Sequence, residues 1–215
     1  MLRKVLQVGI PYGIENGLFQ LGRVLVLSIV STFGTMAIAA NSVGYAIGIF
    51  SVLPGFAINL GLTAVISNCV GANDYEQAKY YNKKCLIIVI VSHIVINLMI
   101  FAGLPLILGI YNLSSQTAMM ASEMIIWHGI FAIIIWPLSF TLPATFRGAG
   151  DSKSVMYISL AVMFACRICL SYVIADWMGI GVFGTWIAMF IDWYVRAGIY
   201  GYRYFSKKWT EYRVI

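Results

Sequence analysis

Charge is what this chain has least of. Acidic and basic residues together make up 10% of its 215 residues, where an ordinary soluble domain carries about 25%. Histidine and cysteine are also scarce. The two histidines, His93 and His128, fall on different apolar segments with no cysteine or carboxylate set beside them, which favours hydrogen-bonded structural histidines over a metal site. Of the four cysteines, Cys69 and Cys85 fall near segment ends expected to face the cytoplasm, where disulfides are disfavoured. Cys166 and Cys169 have C-x-x-C spacing, but deep in an apolar run and without the strand-to-helix setting of a redox motif. Enzyme signatures are missing as well. There is no Gly-x-Ser-x-Gly, no His-Glu-x-x-His and no phosphate-cradling G-x-x-x-x-G-K-[ST], so peptide and nucleotide hydrolysis are disfavoured and no cofactor is implied.

What the chain has in abundance is apolar surface: 61% of its residues are hydrophobic and the mean hydropathy is +0.88. The apolar stretches cover about 10–33, 38–69, 86–111, 124–146, 155–177 and 180–205, each at or above the roughly 20 residues that cross a hydrocarbon core of ~30 Å. The expectation is an all-α integral membrane protein, a single six-span bundle over 1–215. Eleven of the fourteen lysines and arginines fall before the first span, in the second and fourth linkers, or in the tail. They are Arg3, Lys4, Lys79, Lys83, Lys84, Arg147, Lys153, Arg203, Lys207, Lys208 and Arg213. The other linkers hold no Lys or Arg and only Glu123 and Asp176 as charges. The positive-inside rule therefore puts both termini in the cytoplasm, with the spans in the cell membrane. The same rule accounts for the net charge of +6, so a nucleic-acid partner is not implied. The first apolar run is too long for the 7–15-residue core of a signal peptide and reads as a retained span.

Five charges fall inside the spans: Glu15, Arg23, Arg167, Asp192 and Arg196. Each costs at least about 2.5–3.5 kcal/mol near mid-membrane unless water or a partner compensates. Asp192 and Arg196 are spaced i to i+4 with the acid first, the favourable order for a structural ion pair on one helix face; Arg196 lies near the expected cytoplasmic end, where it could snorkel. Arg167 has no acid one turn away and should pair across helices or face water. Glu15 is the sharpest candidate. A helical wheel puts Glu15, Phe19 and Arg23 on roughly one face with Asn16 and Gln20 beside them, and such a stripe cannot face lipid. It should line a water-filled cavity or meet another polar face; an ion pair with Arg23, two turns away, is the bland alternative. A carboxylate that can alternate between charged and neutral forms suits coupling to H⁺ or Na⁺, with Na⁺ at Glu15 as the one metal ion implied.

The second span is longer than one crossing requires and is interrupted at Pro54-Gly55, with Asn41, Ser42, Tyr45, Asn59 and Thr63 along it. A bent helix dotted with polar groups suits a moving element of a transporter, though tolerated proline kinks are also common in membrane helices. Asn41, Tyr45 and Asn59 join Asn16, Phe19, Gln20 and Arg23 as candidate cavity residues. Between the fourth and fifth spans, Arg147-Gly148-Ala149-Gly150-Asp151 has the chemistry of a tight turn that can hinge.

Taken together, several segments resemble the C-terminal half of a multidrug and toxic compound extrusion transporter, the MATE family. They are Gly9-Ile10-Pro11 with Glu15; Pro54 through Val70-Gly71-Ala72-Asn73-Asp74 with Ala78-Lys79; Phe146-Arg147-Gly148-Ala149-Gly150-Asp151-Ser152; and Gly184-Thr185-Trp186-Ile187-Ala188 with Asp192-Trp193-Tyr194-Val195-Arg196, ending near Lys208-Trp209. The resemblance implies one half of a twelve-helix, two-bundle antiporter that exports organic, often cationic, compounds in exchange for Na⁺ or H⁺. An acid in the span corresponding to the first one here serves cation binding in the family, and Glu15 matches it. The chain departs from the pattern in two ways: Trp136-Pro137-Leu138-Ser139-Phe140 carries no carboxylate where some relatives have a second membrane acid, and there are six spans instead of twelve.

Alternating access needs two bundles rocking about a shared site, so an N-terminal half, as a separate chain or a missing segment, is the expected partner alongside small organic substrates and the bilayer. Two copies of the chain are a further arrangement. A relative of lipid-linked sugar flippases and a non-transporting membrane subunit are the alternative functions.

Overall fold

The computed structural model describes residues 2–206 and 208–210, without the side chains of residues 2–5, 7, 8 and 208. Arg3, Lys4, Lys207, Lys208 and Arg213, used above to orient the chain, fall outside the described residues or side chains. The fold is all-α. Helices α1 (Leu2–Ser31), α2 (Thr35–Gly71), α3 (Tyr75–Ile110) and α4 (Ser115–Gly148) are followed by α5 (Ser152–Val162), which continues through wider π-helical turns at Met163–Cys169 and Tyr172–Trp177. The last long helix is α6 (Val182–Phe205).

The helices run well past the apolar stretches. At 37 residues and ~1.5 Å per residue, α2 is about 55 Å long, far more than the hydrocarbon thickness. Helix α3 starts at Tyr75 because Asp74 caps it, accepting a 2.9 Å hydrogen bond from the Gln77 N–H. Helix α4 starts at Ser115, where the Ser114 hydroxyl accepts from the Thr117 N–H at 3.3 Å. Both caps lie outside the apolar stretches, so hydropathy alone does not reveal them. Gly150 and Gly181, with φ of +96° and +75°, make the turns into α5 and α6, a conformation that glycine enters without a Cβ clash.

Among the described residues, five helical segments are long and apolar enough to cross a membrane: Gly9–Ser31, α2, α3, α4 and Ser152–Trp177. Helix α6 is not among them. Its charges are buried against other helices instead, with Asp192 and Arg196 almost wholly shielded. Helix α4 packs against α2, α3 and α6, while α1 lies along the fifth helix. The core is built on Trp136, Trp186, Phe190 and Trp193, and a second apolar cluster forms around Phe146, Tyr200 and Trp209. Outward faces carry Leu60, Met99, Leu106 and Ile110, all strongly exposed. Such a surface is compatible with lipid and not with water.

All five prolines sit inside helices. Next to Pro54, the space a Cβ on Gly55 would need is taken by the Trp136 ring and by His93 Nε2 at 2.8 Å. Gly148 is equally tight, its Cβ position lying 2.7 Å from the Thr63 carbonyl oxygen and 2.8 Å from Ile66 Cβ. Both glycines, expected as hinge or turn residues, thus sit where α2 and α4 come into contact.

Candidate functional site

The polar stripe on α1 splits in two. Eight residues of α-helix separate Glu15 from Arg23 by about 12 Å, and the bundle uses each for a different purpose. Glu15 is 7% exposed and meets Arg147, whose Nη2 donates to both carboxylate oxygens at 2.8 and 2.9 Å. The Arg147 guanidinium also lies over the Tyr12 ring at 4.8 Å. The ion pair considered for Glu15 therefore exists, with a different arginine. Arg147, expected only as part of a turn, joins the end of α4 to the middle of α1. The same turn region holds a second ion pair, Arg203 with Asp151.

Toward the other end of the bundle, α1, α2, the fifth helix and α6 border a partly open cavity of about 420 Å³. Gln20, Arg23, Asn41, Tyr45, Arg167 and Trp186 supply its polar and aromatic lining. Arg23 donates to Gln20 Oε1 at 2.8 Å and stacks over the Tyr45 ring at 4.2 Å. Trp186 Nε1 donates to Asn41 Oδ1 at 3.0 Å, tying the start of α6 to α2. The volume lies in the range of small-molecule pockets, about 300–1,000 Å³. A smaller recess of about 90 Å³ shares Tyr45, Arg167, Trp186 and Met189 with it and is walled further by Phe19, His128, Trp136 and Trp193.

Of the expected cavity residues, Gln20, Arg23, Asn41 and Tyr45 come together, and Phe19 lines the recess. Asn16 and Asn59 do not join them, nor does Glu15 of the α1 stripe. Asn16 is exposed and donates to the Tyr12 carbonyl one turn back, because the side of α1 that carries it faces away from the bundle. Asn59 lies four turns along α2 from Tyr45 and donates to the Phe140 carbonyl at 3.2 Å, tying α2 to α4. Glu15 belongs to the Arg147 pair. Asp192 and Arg196 do meet, with Nε donating to Oδ1 at 3.0 Å, but Arg196 does not snorkel. At 2% exposure it turns inward, donating also to the Ser159 carbonyl and lying over Phe19 and Phe140.

Arg167 was left open by the sequence, and its position follows from the π-helical turn Met163–Cys169 that carries it. One extra residue per hydrogen-bonded ring rotates the side chains that follow, a distortion frequent at functional sites. The cavity wall formed by Trp186 and Met189 also went unrecognised. A Gly-Thr-Trp start to a helix gives no local sign that its indole faces a void.

A MatE family model matches residues 11–173, about three quarters of the chain. The chain belongs to the MatE family. Among curated relatives, it is 22% identical over 213 residues to "Probable multidrug resistance protein NorM" of Thermotoga maritima, an alignment covering 99% of this chain and 46% of that protein. It is 24% identical to "Uncharacterized transporter YisQ" of Bacillus subtilis, covering 98% and 46%. A solved MATE structure in a straight conformation matches with a TM-score of 0.85 at 16% identity, over 99% of this chain and 46% of that one. The chain spans about half the length of the curated MatE relatives it matches. It is an all-α, multi-pass membrane protein of that family, and the fold it shares with the solved structure accounts for 46% of that chain.

Proposed function

We propose that this chain is one half of an ion-coupled antiporter that exports small organic compounds across the cell membrane, with both termini in the cytoplasm and Glu15 as the coupling carboxylate. The Glu15–Arg147 pair is the ion-pair alternative for Glu15, with Arg147 in place of Arg23, and it carries the coupling reading only as a contact that an incoming ion can break. A shielded acid in α1 takes its counter-charge from the end of α4, so any cation that occupies the carboxylate competes with an inter-helix contact. Protonation or Na⁺ binding at Glu15 then loosens α1 from α4, and release of the ion restores the clasp. Such a two-state contact lets an ion gradient bias a conformational equilibrium. A proton asks for a single carboxylate lone pair, whereas Na⁺ asks for several oxygen ligands and must displace the guanidinium from both oxygens. The cavity between α1, α2 and α6 is the place for the organic substrate, completed by an N-terminal half that supplies the opposing bundle.

The test is efflux of ethidium, a cation, and of fluorescein, an anion, from pump-deficient bacterial cells producing this chain, alone and together with a second six-helix half. Accumulation is measured under imposed Na⁺ or pH gradients. The wild-type chain is expected to lower accumulation in response to one of the two gradients, and Glu15→Gln to abolish that dependence at unchanged protein abundance. Efflux by Glu15→Gln that still follows the gradient would remove Glu15 from the coupling role.

A further inference from the structure

We infer that the cavity between α1, α2 and α6 binds the anionic group of an aromatic or amphiphilic compound, with Arg167 as its principal contact and Arg23 as the second. The inference rests on the transport reading only in taking the ligand to be a transported one; the binding chemistry stands by itself.

The argument starts from an imbalance. Two arginines line the cavity, and none of its lining residues is an acid. Arg23 is half-buried and meets only the neutral Gln20 amide and the Tyr45 ring. Arg167 is 8% exposed, and among the described residues its guanidinium makes no salt bridge and no hydrogen bond; the Phe19 ring lies 5.4 Å away, and Asp192 acts on it only beyond contact distance. The nearby acid is Asp192, whose Oδ1 is held by Arg196 and whose Oδ2 reaches no donor among the described residues. Asp192, Arg196, Arg167 and Arg23 together leave a surplus of two positive charges. A shielded guanidinium that reaches no acceptor in the chain keeps its N–H donors for whatever enters the cavity beside it. An incoming carboxylate, sulfonate or phosphate supplies the missing acceptor and can be gripped by two parallel N–H groups.

The surroundings select the rest of the ligand. Tyr45 and Trp186 border both the main cavity and the aromatic recess, and Arg167 stands where the two meet. A planar ring can lie along these walls while its acidic group reaches the arginine. A cationic compound entering the same space gains the aromatic walls but meets two like charges. Electrostatics therefore ranks anions above cations of equal shape.

The experiment compares fluorescein, a dianion in mildly alkaline buffer, with a cationic rhodamine ester that shares its xanthene ring. Binding to the purified chain in neutral detergent is read by fluorescence anisotropy against empty micelles. Wild-type protein is expected to bind fluorescein on the order of tenfold more tightly than the rhodamine, the value of one charge-assisted hydrogen bond. Arg167→Gln is expected to remove that preference, Arg167→Lys to keep most of it, and Arg23→Gln, at a half-buried position, to weaken it without disturbing the fold. Equal or tighter binding of the cation, or a preference untouched by both Gln variants, overturns the inference.

Displacement of fluorescein by phosphatidylglycerol, but not phosphatidylcholine, would identify a lipid phosphate as the source of the anion; no displacement by either lipid would identify a soluble acid. Both outcomes support the anion site. Arg167-dependent binding in a chain that gives no efflux even alongside a second six-helix half would sink the transport reading alone. Glu15-dependent efflux without anion preference would sink the anion site alone.

Discussion

At the turn between α4 and the fifth helix, arginines and acids meet in pairs: Arg147 with Glu15, Arg203 with Asp151. At the cavity, Arg23 has only a neutral amide and a ring, and Arg167 only a ring. Phe19 stands between the two regions. Arg196, which has Asp192, lies 5.1 Å from its ring centre, and Arg167, which has no acid, lies 5.4 Å from it. Similar side chains in similarly shielded places thus differ in their partners: Arg196 has an acid and the Ser159 carbonyl, Arg167 has neither within hydrogen-bond reach. Where the acid is present, the charge is consumed in joining helices. Where it is absent, the charge remains available to something that is not part of the chain.

Stability measurements can break this contrast, because removing a partner should hurt in proportion to how shielded and how committed the pair is. The largest loss is expected for Asp192→Asn, which strands Arg196 in the core at a cost of about 3–5 kcal/mol. A titration with denaturing detergent, followed by helical circular dichroism, measures it. An intermediate loss of about 1–2 kcal/mol is expected for Glu15→Gln, because Arg147 keeps 18% of its side chain exposed and the amide still accepts one hydrogen bond. No loss is expected for Arg167→Gln, and a gain is the direction to look for, because it removes a shielded charge that has no counter-charge in contact. If Arg167→Gln lost as much stability as Asp192→Asn, Arg167 would be a structural residue and the contrast would collapse. If Glu15→Gln cost nothing, the clasp between α1 and α4 would be too weak to transmit ion binding.

Features confined to one helix were legible in the sequence. The pairing of Asp192 with Arg196 follows from i to i+4 spacing, and the grouping of Gln20 with Arg23 follows from the helical wheel. Partners far apart in sequence were not. Glu15 and Arg147 are separated by 132 positions, and nothing near Arg147 marks it as more than a basic turn residue; only the requirement that a shielded acid find a counter-charge hints at such a partner. Pro54-Gly55 reads locally as a break, yet the bundle uses Gly55 for contact with Trp136 and His93, a fact that belongs to the opposing helices. Helix ends at Asp74 and Ser114 were obscured because the chain stays helical beyond the oily part of each span.

The widened turns of the fifth helix give it a place to absorb a change in chain length. Between Met163 and Cys169 the backbone accommodates one residue more than an ordinary coil would. Losing a single codon there can be taken up by a return to normal winding, whereas the same loss from an ordinary turn swings everything downstream by ~100° around the axis. Ala175, whose backbone fills the notch left by Gly184, would keep its place, while the guanidinium at the cavity wall, inside the widened stretch, would lose its bearing. A one-residue deletion there should therefore disturb the cavity before it disturbs the packing of the bundle.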